Sequence, residues 1–187
     1  MSFASLILLS PLLILISFWV ILDSKGGVFF RQLRIGKNQR RFKILKFRTM
    51  KPDSEKHGQL TVGEKDPRVT NAGFYLRKYK FDELPQLWNI LIGDMSLVGP
   101  RPEVPAYLPF YSDSDKVIFS VRPGLTDYAS IEYVDEDIEL KSADNPETHY
   151  TQHILPKKLA LQRRYVSDRT FWKDLKIIAA TVRAILR

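Results

Sequence analysis

The chain has 187 residues, which is enough for one domain with a hydrophobic core and hardly enough for two. A hydrophobic content of 44% with only nine glycines excludes a disordered protein, and the lack of cysteine excludes disulfides and thiolate metal sites. The net charge of +8 predicts an anionic partner, such as nucleic acid, lipid headgroups or a phosphorylated substrate.

The first 22 residues are apolar and carry no ionisable side chain. They lack the basic start and the small-residue cleavage site of a signal peptide, and they are long enough for a transmembrane helix. Pro11 interrupts the segment at its midpoint, and each half then measures about 15 Å against a hydrocarbon core of about 30 Å. Two hypotheses follow. One is a re-entrant helix broken at Ser10-Pro11, with the Ser10 hydroxyl satisfying the freed backbone groups, and the other is a kinked spanning helix.

A strongly basic segment comes next, because residues 24–51 contain ten lysines and arginines and no acid. Directly after a membrane-length apolar segment, such a block indicates a cytoplasmic flank on anionic lipid. Nucleic-acid binding is disfavoured, since it has no need of the apolar segment. We therefore expect a membrane helix over residues 1–23 and a cytoplasmic, membrane-associated domain over residues 24–187.

Within the basic block, Val28–Ile35 and Phe42–Met50 are rich in aromatic and β-branched residues. They flank Gly36-Lys37-Asn38-Gln39, and this pattern predicts a β-hairpin. Lys51–Thr70 is polar and predicts a long loop that becomes ordered around a ligand. Asn71–Lys80 predicts a short basic helix.

The next helix is predicted from the spacing of Leu84, Leu87, Trp88 and Leu91, which form one buried stripe at i, i+3, i+4 and i+7. Gly93 is expected to end this helix.

At the start of this helix, Asp82 is expected at the N-cap and Glu83 at the first helical position, and Pro85 is tolerated in the first turn. An aspartate cap is commonly without catalytic function. Helix N-terminal amides also favour bound phosphate, two adjacent carboxylates suit Mg²⁺, and an aspartate can attack phosphorus.

Near the C-terminus, a helical stripe with lysines and arginines on its other faces predicts a basic amphipathic helix, which either packs on the core or lies on an anionic bilayer. The stripe consists of Phe171, Leu175, Ile178, Val182 and Ile185. The acidic stretch 132–147 predicts a solvated loop.

Several ordered motifs resemble those of the bacterial sugar transferase family, and more narrowly of its small monotopic phosphoglycosyl transferases. The matching runs are Lys46-Phe47-Arg48-Thr49-Met50, Asp66-Pro67-Arg68-Val69-Thr70, Leu76-Arg77-Lys78, Asp82-Glu83-Leu84-Pro85-Gln86-Leu87, Gly93-Asp94-Met95-Ser96-Leu97-Val98-Gly99-Pro100-Arg101-Pro102 and Arg122-Pro123-Gly124-Leu125-Thr126. The resemblance implies a mostly helical α+β fold, with a re-entrant membrane helix broken at Ser10-Pro11, a β-hairpin and interfacial amphipathic helices around a small catalytic core.

The resemblance further implies transfer of a sugar-1-phosphate from a UDP-sugar to polyprenyl (undecaprenyl) phosphate, with release of UMP, at the cytoplasmic face of the bacterial inner membrane. Asp82 would attack the β-phosphate to form a covalent intermediate, and Glu83, with Asp82, would hold Mg²⁺. Arg101, Arg48 and Arg122 are implied phosphate ligands.

Arg77 would orient the acid or anchor the re-entrant helix. Many relatives have glycine where this chain has Asp127, which leaves the sugar undetermined.

Two alternative functions remain. One is the same reaction as a single displacement with Asp82 as base, and the other is a lipid-docked scaffold without catalysis. Anionic membrane lipid is an expected partner, nucleic acid is not, and the resemblance allows downstream glycosyltransferases or a second copy in a dimer.

Overall fold

The computed structural model describes residues 2–52, 54, 60–63 and 66–185, and the predicted loop Lys51–Thr70 therefore lies partly outside the described residues. The described part is a mostly helical α+β structure, as expected. Its helices are α1 (Ser2–Asp23), α2 (Asn71–Lys78), α3 (Gln86–Leu91), α4 (Tyr128–Glu132), α5 (Glu136–Lys141), α6 (Pro146–His149), α7 (Leu155–Asp168) and α8 (Phe171–Ile185). Its strands are β1 (Phe29–Ile35), β2 (Arg41–Phe47), β3 (Ser96–Val98) and β4 (Gly124–Thr126).

Helix α1 contains Pro11 and is continuous through it. Proline at this position cannot bond to the carbonyl of Ile7 four residues earlier, and that carbonyl instead accepts a 2.7 Å hydrogen bond from the Ser10 hydroxyl. The predicted compensation by Ser10 is thus confirmed. The window Leu6–Asp23 has a mean hydropathy of 2.4, so α1 is long and apolar enough to cross a membrane by length and composition. The re-entrant path stays a prediction.

The second half of α1 packs on the folded domain through Ile16 and Val20, which are buried against Phe47 of β2 and Leu76 of α2. The Asp23 carboxylate accepts a 3.0 Å hydrogen bond from the Ala72 amide in the first turn of α2. The apolar helix and the acid-bearing region therefore share one core, which fixes the end of α1 beside the elements that carry the site.

The predicted β-hairpin is confirmed: β1 and β2 pair antiparallel, with Phe29 opposite Phe47 and Ile35 opposite Arg41. Asn89 of α3 forms hydrogen bonds with the backbone at the free edge of β2. Its side chain accepts from the Leu45 amide and donates to the Lys43 carbonyl, both at 2.9 Å. The buried Asn89 side chain thus satisfies backbone groups that a neighbouring strand would otherwise pair, and it fixes α3 against the hairpin.

Strands β3 and β4 form a two-stranded parallel sheet. Gly99, just after β3, lies so close to Gly124 that a β-carbon on either glycine would collide with the backbone of the opposite segment. The close contact is reinforced by a 3.0 Å hydrogen bond from the Gly124 amide to the Pro100 carbonyl. The two Gly-containing motifs of the sequence therefore meet at one point and hold the turn that follows Pro100.

The acidic stretch 132–147 is not a loop, and that prediction is wrong. It forms α5 and begins α6, and its Leu140 is buried in a core cluster with residues of α7. A 2.6 Å ion pair between Glu136 and Lys158 of α7 attaches α5. Tertiary burial of one leucine overrides the polar composition of the segment.

The end of α3 agrees with the prediction, since Gly93 follows the helix with a φ of +88°. The predicted buried stripe of α3 is only partly correct. Leu87 is buried, but Trp88 is 51% exposed and Leu91 is 39% exposed, while Gln86 and Asn89 are buried instead. Helix α3 thus buries two polar side chains together with Leu87 and leaves Trp88 and Leu91 on its outer side.

Helix α8 also exposes apolar side chains that the sequence predicts to be one stripe. Its Ile177 is buried, whereas Phe171, Leu175 and Val182 of the predicted stripe are exposed and Trp172 extends the exposed apolar surface. An exposed apolar face on a basic helix favours the bilayer alternative over core packing.

Candidate active site

Asp82 and Glu83 lie in a 3₁₀ turn, Phe81–Glu83, that precedes α3. The chain enters the turn through Lys80 in the left-handed conformation (φ 56°), and the N-cap of α3 is Pro85. The predicted positions of Asp82 as N-cap and Glu83 as first helical residue are therefore wrong. Because Pro85 has no N–H and sets its own φ, the regular helix starts after it and leaves the acid pair in a separate turn.

Glu83 is held by two cations. The Lys46 ammonium lies 2.7 Å from its Oε1, and the Arg101 guanidinium donates to both carboxylate oxygens, with the Nη1 to Oε2 bond at 3.2 Å. Burial alone would raise the pKa of Glu83, but the charges of Arg101 and Lys46 outweigh it and hold that pKa well below its usual value. Glu83 is thus a fixed, ionised carboxylate.

Asp82 is in a different environment although it is the adjacent residue. It is only 7% exposed, and its Oδ1 is buried without a hydrogen-bond partner among the described residues. Burial raises the pKa of Asp82, the charge of Lys46 opposes this, and the negative charge of Glu83 adds to it. Two adjacent carboxylates with pKa values shifted in opposite directions are typical of groups with separate chemical roles.

Lys46 is a site residue for which the sequence predicted no role. It lies on β2 with its ammonium beside Glu83, and burial lowers its pKa while Glu83 opposes that shift. Strand alternation was the signal that could have indicated it, because Lys46 lies on the same face of β2 as the buried Ile44.

The turn that carries Arg101 is fixed from three sides. The Arg101 amide donates to Asp127 Oδ2 at 3.1 Å, the Arg101 carbonyl accepts from Gln162 at 3.4 Å, and the Pro102 carbonyl accepts from Arg34 at 2.9 Å. These hydrogen bonds from separate elements fix the backbone at Arg101. Less conformational entropy is therefore lost when the Arg101 side chain binds an anion.

Asp127 therefore has a definite structural role that the sequence left open. It is fully buried, caps α4 by accepting from the Ser130 amide at 2.7 Å, and connects that cap to the Arg101 turn. A glycine here would supply neither contact.

Arg48 is not a phosphate ligand in this structure. Its five N–H donors all bond at the C-terminal end of α1 and the linker that follows, to the carbonyls of Val20, Ser24, Lys25 and Gly27 and to the Ser24 hydroxyl. The guanidinium caps α1 and satisfies carbonyls that have no intrahelical partner. The prediction of a phosphate role is corrected accordingly.

Arg122 does not join the acid pair either. It is exposed at the entry to β4 and lines a cavity of about 310 Å³ whose lining includes neither Asp82 nor Glu83. Arg77 lies closer to the acid pair: its charge lowers the pKa of Asp82, and its guanidinium donates to the Thr61 hydroxyl at 2.6 Å. Both predicted roles of Arg77, orienting the acid and anchoring the re-entrant helix, stay predictions.

The acid pair can be tested for fit to Mg²⁺. The unpartnered Oδ1 of Asp82 is available to a cation, and Glu83 lies next to it. No cluster of three His, Cys, Asp or Glu side chains occurs in the described parts of the chain, so the remaining ligands would be water and phosphate oxygens. One or two carboxylates with water and phosphate is the usual pattern for Mg²⁺, and the residues present fit it.

An apolar N-terminal helix joined to a buried acid pair, with two cations on one carboxylate, defines a membrane-associated centre suited to phosphate chemistry. The model of the bacterial sugar transferase family matches residues 1–187, and the chain belongs to that family.

The relatives agree with this assignment. The chain is 37% identical over 186 residues to the UDP-N-acetylgalactosamine-undecaprenyl-phosphate N-acetylgalactosaminephosphotransferase of Aeromonas hydrophila, covering 96% of this chain and 40% of the relative. It is 36% identical over 180 residues to the UDP-glucose:undecaprenyl-phosphate glucose-1-phosphate transferase of Escherichia coli K12, covering 95% and 36%. The exopolysaccharide production protein ExoY of Rhizobium meliloti is 36% identical over 196 residues, with 97% and 80% covered. The chain thus spans well under half the length of the first two.

Proposed function

We propose that this chain is a phosphoglycosyl transferase that moves a sugar-1-phosphate from a UDP-sugar to polyprenyl phosphate and releases UMP. The observation that carries the proposal is the acid pair: Asp82 is buried with a free oxygen, next to a Glu83 that Lys46 and Arg101 hold in place. The names of the relatives include UDP-sugar donors and undecaprenyl phosphate, which supports both substrates.

In the first step, a carboxylate oxygen of Asp82 forms a bond to the β-phosphorus of the donor. The bond from that phosphorus to the bridging oxygen breaks, and UMP leaves with the oxygen and the electron pair. In the second step, a phosphate oxygen of the polyprenyl phosphate bonds to the same phosphorus, and the aspartyl bond breaks to restore the carboxylate. Covalent catalysis of this kind divides one difficult transfer into two easier ones.

The neighbours of Asp82 supply the electrostatics of these steps. Arg101 is a planar donor fork that suits a phosphate, and Lys46 brings a second positive charge. Mg²⁺ bound by Asp82 and Glu83 would neutralise charge on the diphosphate. Since Glu83 is already paired with both cations, its carboxylate also sets their position before substrate arrives.

We expect UMP release from a purified full-length chain in detergent when a panel of UDP-sugars is tested with and without polyprenyl phosphate. Release with one sugar and no acceptor, limited to about one UMP per enzyme, supports the covalent route. A strict need for acceptor would favour the single displacement with Asp82 as base. No release under any condition would favour the scaffold.

The pH dependence of the first step tests the environment of Asp82. The attacking carboxylate must be ionised, and burial raises its pKa above the ordinary aspartate value of about 3.9. The ionised fraction is therefore lost as the pH falls through this raised pKa, and single-turnover UMP release should decline at a higher pH than an ordinary aspartate would give. The measurement omits the acceptor, because a phosphate monoester titrates near pH 6. A decline only at or below the ordinary value would contradict the assignment.

A membrane topology for α1 is part of the proposal. We propose that α1 enters and leaves by the cytoplasmic leaflet, with the Ser10 hydroxyl satisfying the Ile7 carbonyl that Pro11 leaves without a partner. A cysteine placed next to Met1, which lies outside the described residues, should react with a membrane-impermeant reagent only from the cytoplasmic side. A cysteine in the hairpin turn is the cytoplasmic control. In Pro11→Leu, the apolar length suffices to span, and labelling should shift toward the far side. Far-side labelling of the unmodified chain would contradict the re-entrant path.

A further inference from the structure

A basic pocket lies between the hairpin turn and the start of β4. The cavity of about 310 Å³ is lined by the turn that joins β1 to β2, by Gly93 and Asp94 after α3, and by Arg122. This volume is at the lower end of the range for small-ligand sites, roughly 300 to 1,000 Å³. None of the site residues Lys46, Asp82, Glu83 or Arg101 lines it.

The charge of this pocket is strongly unbalanced. Its cations are Lys37, Arg40, Arg41 and Arg122, and its single carboxylate is Asp94. Within the described residues, none of these four cationic side chains has an ion pair or a hydrogen bond. Cations that converge on a cavity without partners repel one another, and an anion with phosphate oxygens would relieve this.

The surface beside the pocket is apolar. Leu91 and Ile92 immediately precede Gly93 and are 39% and 54% exposed, and Trp88, one turn earlier on α3, is 51% exposed. The chain therefore passes from exposed apolar side chains to a basic cavity within two residues. A ligand with a phosphate headgroup and hydrocarbon tails matches both parts, whereas a soluble nucleotide matches only the cavity.

The pocket is also built on the backbone that supports the site. The Ser96 amide at the start of β3 donates to the Pro123 carbonyl at 2.8 Å, one residue after Arg122. Gly124 then contacts Gly99 at the start of the Arg101 turn. A ligand in the pocket thus binds to the base of the framework that positions Arg101.

We propose that this pocket is a binding site for the headgroup of an acidic membrane phospholipid, separate from the acid pair, with the acyl chains against the exposed apolar residues of α3. The proposal rests on the membrane association in the proposed function and is independent of the chemistry at Asp82. A phospholipid headgroup bound in the pocket contacts the cations of the hairpin turn and Arg122, and it thereby orients the turn toward the lipid surface.

The test measures binding of a short-chain phosphatidylglycerol, below its micelle concentration, to the purified full-length chain in neutral detergent. The pocket variant is Arg40→Gln with Arg122→Gln. The matched control is Arg31→Gln with Lys43→Gln, which removes the same charge from exposed positions of the same hairpin that do not line the cavity. We expect the dissociation constant to rise about tenfold or more in the pocket variant, since hydrogen bonds to charged groups are the stronger class, and less than about twofold in the control.

Several outcomes decide the proposal. Equal losses in both variants, no binding by the unmodified chain, or equal binding of a short-chain phosphatidylcholine would overturn it. Competition by UMP that disappears in the pocket variant would also overturn it, because the pocket would then be a nucleotide site. Thermal unfolding of both variants checks that they fold. An Asp82→Asn chain should bind the lipid normally, which separates failure of this proposal from failure of the proposed catalysis.

Discussion

Asp82→Asn is expected to lower the rate of sugar-phosphate transfer by at least about a thousandfold, as the loss of a nucleophile does in enzymes that form covalent intermediates. Asparagine has the same shape and retains one side-chain oxygen, but it has no anionic oxygen to attack phosphorus. The variant should fold at least as stably as the parent, because it removes a buried carboxylate whose Oδ1 has no hydrogen-bond partner among the described residues. Helix α3 does not depend on Asp82 as a cap, because its N-cap is Pro85.

The measurement combines steady-state transfer with rapid acid quenching in the presence of a radiolabelled UDP-sugar. A labelled phosphosugar adduct should appear on the unmodified chain and be absent from Asp82→Asn. Arg31→Gln, an exposed change on the hairpin, is the control that should leave adduct formation intact. Full transfer activity of Asp82→Asn would contradict both roles of Asp82, as nucleophile and as base. Loss of transfer with no adduct on the parent chain would favour Asp82 as base.

Glu83→Gln is expected to reduce transfer by about a hundredfold, which is the usual scale for losing one preorganised electrostatic group. Lys46 and Arg101 both bind Oε1 of Glu83, and a neutral amide would leave these two cations close together without the charge of Glu83 between them. Breaking a buried pair costs about 3 to 5 kcal/mol. We expect the lower end of that range, because the Arg101 side chain is 32% exposed.

Chemical unfolding of Glu83→Gln measures the stability loss, and the magnesium dependence of UMP release measures the second role of Glu83. If Glu83 binds Mg²⁺, the variant should need more metal for half-maximal rate. The control Asp113→Asn removes an exposed partner of Lys116 and should change neither quantity. A stability loss with an unchanged metal requirement would contradict the metal role and preserve the positioning role.

The contribution of Glu83 to the free energy of unfolding should decrease as the pH falls. Its folded-state pKa lies below the ordinary value, so its contribution is present above that ordinary value and is lost as the pH falls through the folded-state pKa. The difference in stability between the parent and Glu83→Gln should therefore shrink under acid conditions.

Local patterns in the sequence determined the elements that depend on local chemistry. The hairpin follows from alternating β-branched and aromatic runs around a turn, and the stop at Gly93 follows from the left-handed conformation that glycine adopts readily. The hydroxyl of Ser10 bonding to Ile7 follows from the single carbonyl that Pro11 leaves free. The pairing of acids with Arg101 came from motif resemblance, and the structure brings those residues together.

Only the tertiary structure decided which cations serve the site and which face of each helix is buried. Arg48 and Lys46 are two residues apart on or beside one strand, yet one caps α1 and the other binds Glu83. Strand alternation alone would place these two residues on the same face, so the difference comes from their partners, which lie in segments far away in the chain. Trp88 and Leu91 of α3 face outward while Asn89 is buried, and Leu175 and Val182 of α8 face outward while Ile177 is buried. Helical periodicity shows that a stripe exists, whereas the identity of what covers it depends on long-range packing and on the membrane.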